Sequence, residues 1–364
     1  MFEKVLVPLD DSEIAPGILP YVSYLAKALD IPVELMSVLD RDDLEALEKT
    51  AKEDSGEHPE KPPAVNLADV GGPIVTFEEA IREDGKEYAP YVIENAVLPL
   101  ETWLGNFVTR LNQHGIRAEG MVSVGTEPAE EILRVAREQD FDLIAMATHD
   151  RNLLGQALRG SATNEVVRSA SAPVLVVTPE KNEIPWDEMP GEQKVTITSI
   201  LVPLDGSPFA EAVLPYVEYL AQRLSLEVVL VRVVQVRVTD TQLPLAGGAG
   251  EPVGPGAVQV QAEAGPAAEE EASRYLEQVA ERLASQGLRV RWELLRGVPG
   301  ASVTGLAREL SNNMVALASH GRSGLARWVQ GSVAEDLIRN TGDPVLVIPV
   351  ERRPRVSAGN IRRL

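Results

Sequence analysis

The chain contains no cysteine in its 364 residues. That excludes disulfides and thiolate metal sites. Long apolar runs are missing too: nothing approaches the ~20 consecutive apolar residues that a membrane-spanning helix requires. The apolar run Val5 to Leu9, behind Met1-Phe2-Glu3-Lys4, is too short for a signal-peptide core, and no small-residue cleavage site follows it. Positive charge is scarce: 34 Lys and Arg stand against 55 Asp and Glu, a net charge of −21. So acidic a chain repels a phosphate backbone, which argues against nucleic acid as a general partner but not against a small nucleotide in a local pocket. Gly-x-Gly-x-x-Gly is absent after the first apolar strand, which removes the dehydrogenase reading of an α/β chain. Together these absences predict a soluble, cytoplasmic protein with no membrane and no nucleic-acid partner.

What is present is a repeat. Val5-Leu-Val-Pro-Leu-Asp10 recurs as Ile200-Leu-Val-Pro-Leu-Asp205, at an offset of 195. At the same offset Leu19-Pro-Tyr-Val22 matches Leu214-Pro-Tyr-Val217, and Tyr24-Leu-Ala26 matches Tyr219-Leu-Ala221. Further on, Gly160-Ser161 matches Gly331-Ser332 and Pro173-Val-Leu-Val176 matches Pro344-Val-Leu-Val347, now at an offset of 171. The smaller offset means that the first copy carries a longer insertion. A unit of this length is a whole domain and not a solenoid repeat.

Each copy alternates short apolar strands with helices. The first strand (4–9; 200–204) leads to a helix (13–29; 208–224) and a second strand (33–39; 227–236). This pattern predicts an α/β fold: two doubly wound, five-stranded parallel-sheet domains with helices on both faces. The expected boundaries are a first domain at 1–179 with an insertion at about 41–89, a linker at 180–197, a second domain at 198–350 with a flexible insertion at about 239–266, and a basic tail at 351–364. The first insertion is acidic, with helices expected near 42–52 and 77–86, and reads equally as a lid or a docking arm. The second is rich in Gly, Pro and Ala and reads as mobile. The tail reads as a solvated cluster or as one that docks on acidic surface.

Ligands of doubly wound sheets bind beyond the carboxyl ends of the strands, where strand order reverses. Asp10 and Asp205 follow the first strands. Each reads either as a helix cap, in competition with Ser12 or Ser207, or as a carboxylate facing a ribose. After the fourth strand, copy two reads Ala318-Ser-His-Gly-Arg-Ser-Gly-Leu-Ala-Arg-Trp-Val-Gln-Gly-Ser332. Gly321 and Gly324 let the backbone turn close to a ligand. Gly331-Ser332 opens a helix whose free N–H groups favour a phosphate, and Arg322 and Arg327 add positive charge. His149 and His320 sit at the turn without a readable Ser–His–Asp set or matched metal ligands, and read as hydrogen-bonding turn residues. Trp103 and Trp328 read as packing residues.

The register Ala318-x-x-Gly321, nine residues, Gly331-Ser332 resembles the Gly-x-x-Gly, nine residues, Gly-Ser/Thr loop of the universal stress protein family. With the strand-one Asp and the last strand, the resemblance covers both copies. It implies two domains of the adenine nucleotide alpha hydrolase-like fold, paired through their last strands as an intramolecular pseudo-dimer, with a homodimer of chains also open. It implies ATP, or ADP or AMP, with or without Mg²⁺. The base would lie near Val233 and Val234, the ribose on Asp205, and the phosphates on Gly321, Gly331 and Ser332, with Ala318, His320, Arg322 and Val333 around them. In copy one the corresponding residues are Asp10, Val38, Gly160 and Ser161. There the loop reads Ala147-x-x-Asp150, and Asp150 puts a negative charge where phosphate would lie. One good site per chain, in copy two, is therefore expected. No residue qualifies as a base that activates water, so the implied function is a stress-response sensor or regulator with at most slow ATP hydrolysis. The alternative is an interaction scaffold with two degenerate pockets.

Overall fold

A computed structural model describes residues 1–40, 44, 96–148, 162–179, 195–239, 259–262, 265–320 and 333–350. The chain runs β1 (Val5–Pro8), α1 (Leu19–Leu29), β2 (Val33–Asp40), α2 (Leu98–Gln113), β3 (Ala118–Gly125), α3 (Pro128–Glu138), β4 (Leu143–Ala147), α4 (Ala162–Ser169) and β5 (Val174–Val177). It continues with β6 (Ser199–Pro203), α5 (Leu214–Leu224), β7 (Glu227–Thr239), β8 (Gln259–Ala262), α6 (Pro266–Ala284) and β9 (Arg289–Gly297). Last come α7 (Pro299–Glu309), β10 (Asn313–His320), α8 (Val333–Asn340) and β11 (Val345–Val350).

Two compact units form. The first holds residues 1–196, 318–328 and 344–364; the second holds 197–317 and 329–343. In the first unit the strand order is β3-β2-β1-β4-β5-β11. The ladders from β3 to β5 are parallel, and β11 lies antiparallel on β5 with Val345 opposite Val176. In the second unit β10, β6, β7 and β9 lie side by side in parallel. Both sheets are therefore the doubly wound parallel α/β arrangement that the alternating pattern predicts, with strand order reversing between β1 and β4 and between β6 and β10.

The repeat is kept down to the register. Val5 to Pro8 pair with Val33 to Met36, and Ile200 to Pro203 pair with Val228 to Val231, each pair displaced by the same 195 residues. These strands are apolar along their length because helices cover both faces. Leu6, Val7, Leu35 and Met36 are fully buried in one unit, as are Ile200, Leu201, Val202 and Val228 in the other. Each such side chain contributes roughly 1.5–3 kcal/mol of burial.

The first helix of each copy starts later than its sequence suggests. A short 3-10 turn, Ala15–Ile18 or Ala210–Val213, precedes it. Proline is the cause. Pro20 has no N–H to give the Pro16 carbonyl, so Leu19 N–H takes that carbonyl instead in the tighter 3-10 pattern. Pro215 has the same effect, and Leu214 N–H goes to Glu211 O. Both helices end in left-handed caps: Asp30 at φ 55° gives its N–H to Ala26 O, and Ser225 at φ 56° gives its N–H to Ala221 O.

The region expected to be a flexible insertion at 239–266 is partly ordered. β7 runs on to Thr239, and β8 pairs back on it antiparallel, with Val236 opposite Ala262 and Thr239 opposite Gln259. Ladder hydrogen bonds satisfy backbone groups there whatever the Gly and Pro content of the tip. Apart from Leu44, the helices expected at 42–52 and 77–86 lie outside the described residues, as do most of the linker (180–194) and all of the tail at 351–364.

Candidate functional site

The carboxyl ends of the first two strands set the geometry in both copies. Leu9 N–H bonds to Met36 O and Leu204 N–H bonds to Val231 O, each at 2.8 Å, and these are the last bonds tying the strands together. The next residues, Asp10 and Asp205, therefore leave the sheet at its rim, and both are exposed. Asp205 Oδ1 accepts the Ser207 N–H at 2.8 Å. Asp10 Oδ1 accepts the Ser12 N–H at 3.2 Å and the Ser12 hydroxyl as well. The serines are the caps: Ala15 N–H donates to Ser12 Oγ at 3.2 Å, and Ala210 N–H to Ser207 Oγ at 3.1 Å. The two roles that compete in the sequence thus fall on two residues. Serine closes the 3-10 turn, while aspartate is fixed by one oxygen in an Asx turn. Among the described residues, the other oxygen of each aspartate is unengaged.

Val38 and Val233 sit at matching places on β2 and β7, both half-buried, and Val234 is 9 % exposed. Ala318 and His320 belong to the end of β10, and Val333 is the first residue of α8. Gly160, Ser161, Gly321, Arg322, Gly331 and Ser332 lie outside the described residues, with His149, Asp150 and Trp328. Trp103 packs edge-on against Phe107, centroids 4.9 Å apart.

The rims carry further residues that the sequence reading passes over. At the rim of the first copy, Glu131 is 9 % exposed, accepts the Ser123 hydroxyl and pairs with Arg134, whose Nε and Nη2 reach it at 3.0 and 2.6 Å. At the rim of the second copy, Arg232 lies over the Tyr275 ring, Cζ to centroid 5.2 Å. The Tyr275 hydroxyl donates to Glu211 Oε1 at 3.1 Å, and Arg282 donates to Glu211 Oε2 at 2.8 Å. Burial, followed by the Glu211 carboxylate, pushes the Tyr275 phenol up, so it stays a neutral donor. A signal for Arg232 exists in the sequence: it is a cation inside the apolar run Val228-Val-Leu-Val-Arg-Val-Val234.

Among the described residues, no three His, Asp or Glu side chains gather as a metal centre. Among them, too, no helix is long and apolar enough to cross a membrane.

The comparisons agree with this architecture. The model of the universal stress protein family matches residues 1–178 and again 196–349. A universal stress protein of Methanocaldococcus jannaschii is 27 % identical over 177 residues, covering 49 % of this chain and 95 % of that protein. One from Mycolicibacterium smegmatis is 24 % identical over 291 residues, covering 79 % of this chain and 84 % of its own length. In fold, the chain is similar to a crystal structure of a universal stress protein from Archaeoglobus fulgidus, with TM-score 0.58, 16 % identity, and coverage of 95 % and 96 % of the two chains. Two matches to one family model, over two copies with one strand register, establish that this chain belongs to the universal stress protein family.

Proposed function

We propose that the chain binds an adenine nucleotide in its second family domain and acts as a stress-response sensor or regulator. The observation that carries this reading is the Asp205 carboxylate. It stands exposed at the sheet rim, one oxygen anchored by Ser207 N–H and the other free to take ribose hydroxyls. Val233 and Val234 offer apolar surface to the base. The loop register Ala318, Gly321, Gly331 and Ser332 supports a phosphate site at the start of α8, where the unpaired N–H groups of a helix favour anions. ATP is the first choice of ligand, with ADP and AMP behind it and Mg²⁺ as the companion ion. Slow hydrolysis is the most that this reading gives the site, because the sequence offers no readable base to activate water. A cytoplasmic protein fits the cysteine-free, acidic composition. The antiparallel ladder of β5 with β11 supports pairing of the two family domains through their last strands, at 1–179 and 198–350.

The second reading, an interaction scaffold, is favoured by Ala147, Asp150 and Ala318, which replace glycines of the loop. Calorimetric titration of the full chain with ATP and Mg²⁺ separates the two. One site per chain is expected, and Gly321→Asp, which copies Asp150, abolishes it. No binding of any adenine nucleotide gives the scaffold reading. Two sites per chain would mean that Asp150 does not block the first copy.

A further inference from the structure

Among the described residues, the donors of Arg232 have no acceptor. Arg232 follows Val231, whose carbonyl accepts from Leu204 N–H, so it stands on β7 just past the last pair with β6, where the chain turns through Asp205 and Gly206. A Cβ built on Gly206 would stand 3.1 Å from Nη1 and 3.2 Å from both Cζ and Nη2. Near-equal distances to three guanidinium atoms mean that the plane lies face-on to the glycine. A side chain there would press on the guanidinium by a few tenths of an ångström, and the φ of +87° favours glycine. The Tyr275 ring holds the same guanidinium by a cation–π contact. The Gly206 contact lies on the flat face of the group, and neither contact places an acceptor on its N–H edge. Among the described residues, no hydrogen bond and no ion pair reaches that edge. The nearby carboxylate of Glu211 is already engaged through both oxygens, by Tyr275 and Arg282.

A half-buried guanidinium fixed by its face with a free edge is a fork for an anion. Among the described residues, the first copy has no such fork. Its residue at the same register is Ser37, which is 2 % exposed and turns its hydroxyl inward to Leu9 O at 2.7 Å. The fork sits next to the carboxylate assigned above to the ribose. In dinucleotide-binding folds an arginine beside the ribose-binding acid is what accommodates a phosphate on that sugar.

We infer that Arg232 receives a phosphate carried on the ribose, so that the second copy selects an adenine nucleotide phosphorylated at its 2′ or 3′ position. The inference rests on the nucleotide reading above and specifies its ligand. The test is calorimetry on the full chain with three probes: AMP, adenosine 2′,5′-bisphosphate and adenosine 3′,5′-bisphosphate. At least one bisphosphate is expected to bind about tenfold or more tightly than AMP. The preferred isomer tells which hydroxyl carries the group. Arg232→Ser, which installs the residue of the first copy, brings that ratio to about one. Arg232→Lys keeps part of it, because a point charge lacks the planar fork. If AMP binds and neither bisphosphate binds better, or if Arg232→Ser keeps the preference, the inference is overturned while the nucleotide reading stands. If none of the three probes nor ATP binds, both fall.

Discussion

The two copies agree in their ladders and differ at their rims. On the second strand, just past its last pair with the first, copy one has Ser37, folded inward onto a backbone carbonyl, and copy two has Arg232, lying on a glycine turn. At the end of the third strand, copy one has the Ser123, Glu131 and Arg134 network, where the repeat places Leu295, Ser302 and Gly305 in copy two. Behind that strand Ala129 answers to Gly300, and Asp336 fills the space that the missing methyl leaves. The lesson is about which positions are free to change. The ladder between the first two strands is held by backbone bonds and two-sided burial, so both copies keep its register. Past its last pair, each copy has built a different polar cluster on the same frame.

Three substitutions test that contrast, from the largest effect to the smallest. Glu131→Ala removes a nearly buried carboxylate, takes the acceptor from the Ser123 hydroxyl and leaves Arg134 with Glu138. It should cost about 2–3 kcal/mol, read by urea unfolding together with hydrogen exchange in β3. Its counterpart Ser302→Ala should stay within about 0.5 kcal/mol; equal losses would erase the distinction between the two rims.

Gly300→Ala comes next. A Cβ there would stand 2.0 Å from Asp336 Oδ2 and 2.9 Å from Asp336 Cβ. The expected loss is about 1–2 kcal/mol, with Asp336→Ala in the same chain restoring most of it. A neutral Gly300→Ala would show that the Ala129 and Gly300 difference is incidental.

The smallest effect depends on pH. Glu34 faces Glu119 across the parallel ladder, where copy two pairs Val229 with Arg291. Burial, then the Glu119 charge, raises the Glu34 carboxyl from 4.5 to about 7. A raised acid favours its protonated form in the folded state. The cost of ionising it is therefore absent below pH 4.5, grows between 4.5 and 7, and is complete above 7. Glu34→Gln should stabilise the first unit at pH 8 by about 1 kcal/mol, allowing for partial solvent exposure, and do nothing near pH 4. A gain equal at both pH values would assign the effect to packing instead of charge.

Much of the frame was legible. Val-Pro-Leu-Asp, repeated at one offset, predicted the first strands, and the ladders follow that offset residue for residue. The helix starts were read too early. Apolar periodicity continues through the 3-10 turns, and only the missing N–H of Pro20 and Pro215 shows where the wider helix must wait. β8 was passed over because its polar–apolar alternation, Gln-Val-Gln-Ala, is only four residues long amid Gly and Pro; the extension of β7 pairs with it. Asp10 and Asp205 were found with their roles unresolved, since an Asp two residues before a Ser looks the same as cap or as rim carboxylate. Arg232 was missed because its meaning comes from Gly206 and Tyr275, which chain order separates and the fold brings together.

The antiparallel seat of β11 on β5 also bears on how the protein is made. β5 leaves the ribosome once Val177 is made, but the strand that covers its edge begins only at Val345. Until then, the four apolar residues Val174 to Val177 offer an open edge to any other nascent strand. Synthesis therefore passes through a stage in which the first half is folded but unsealed. A chain truncated just before Val345 should preserve that stage and gather into aggregates where the full-length protein does not.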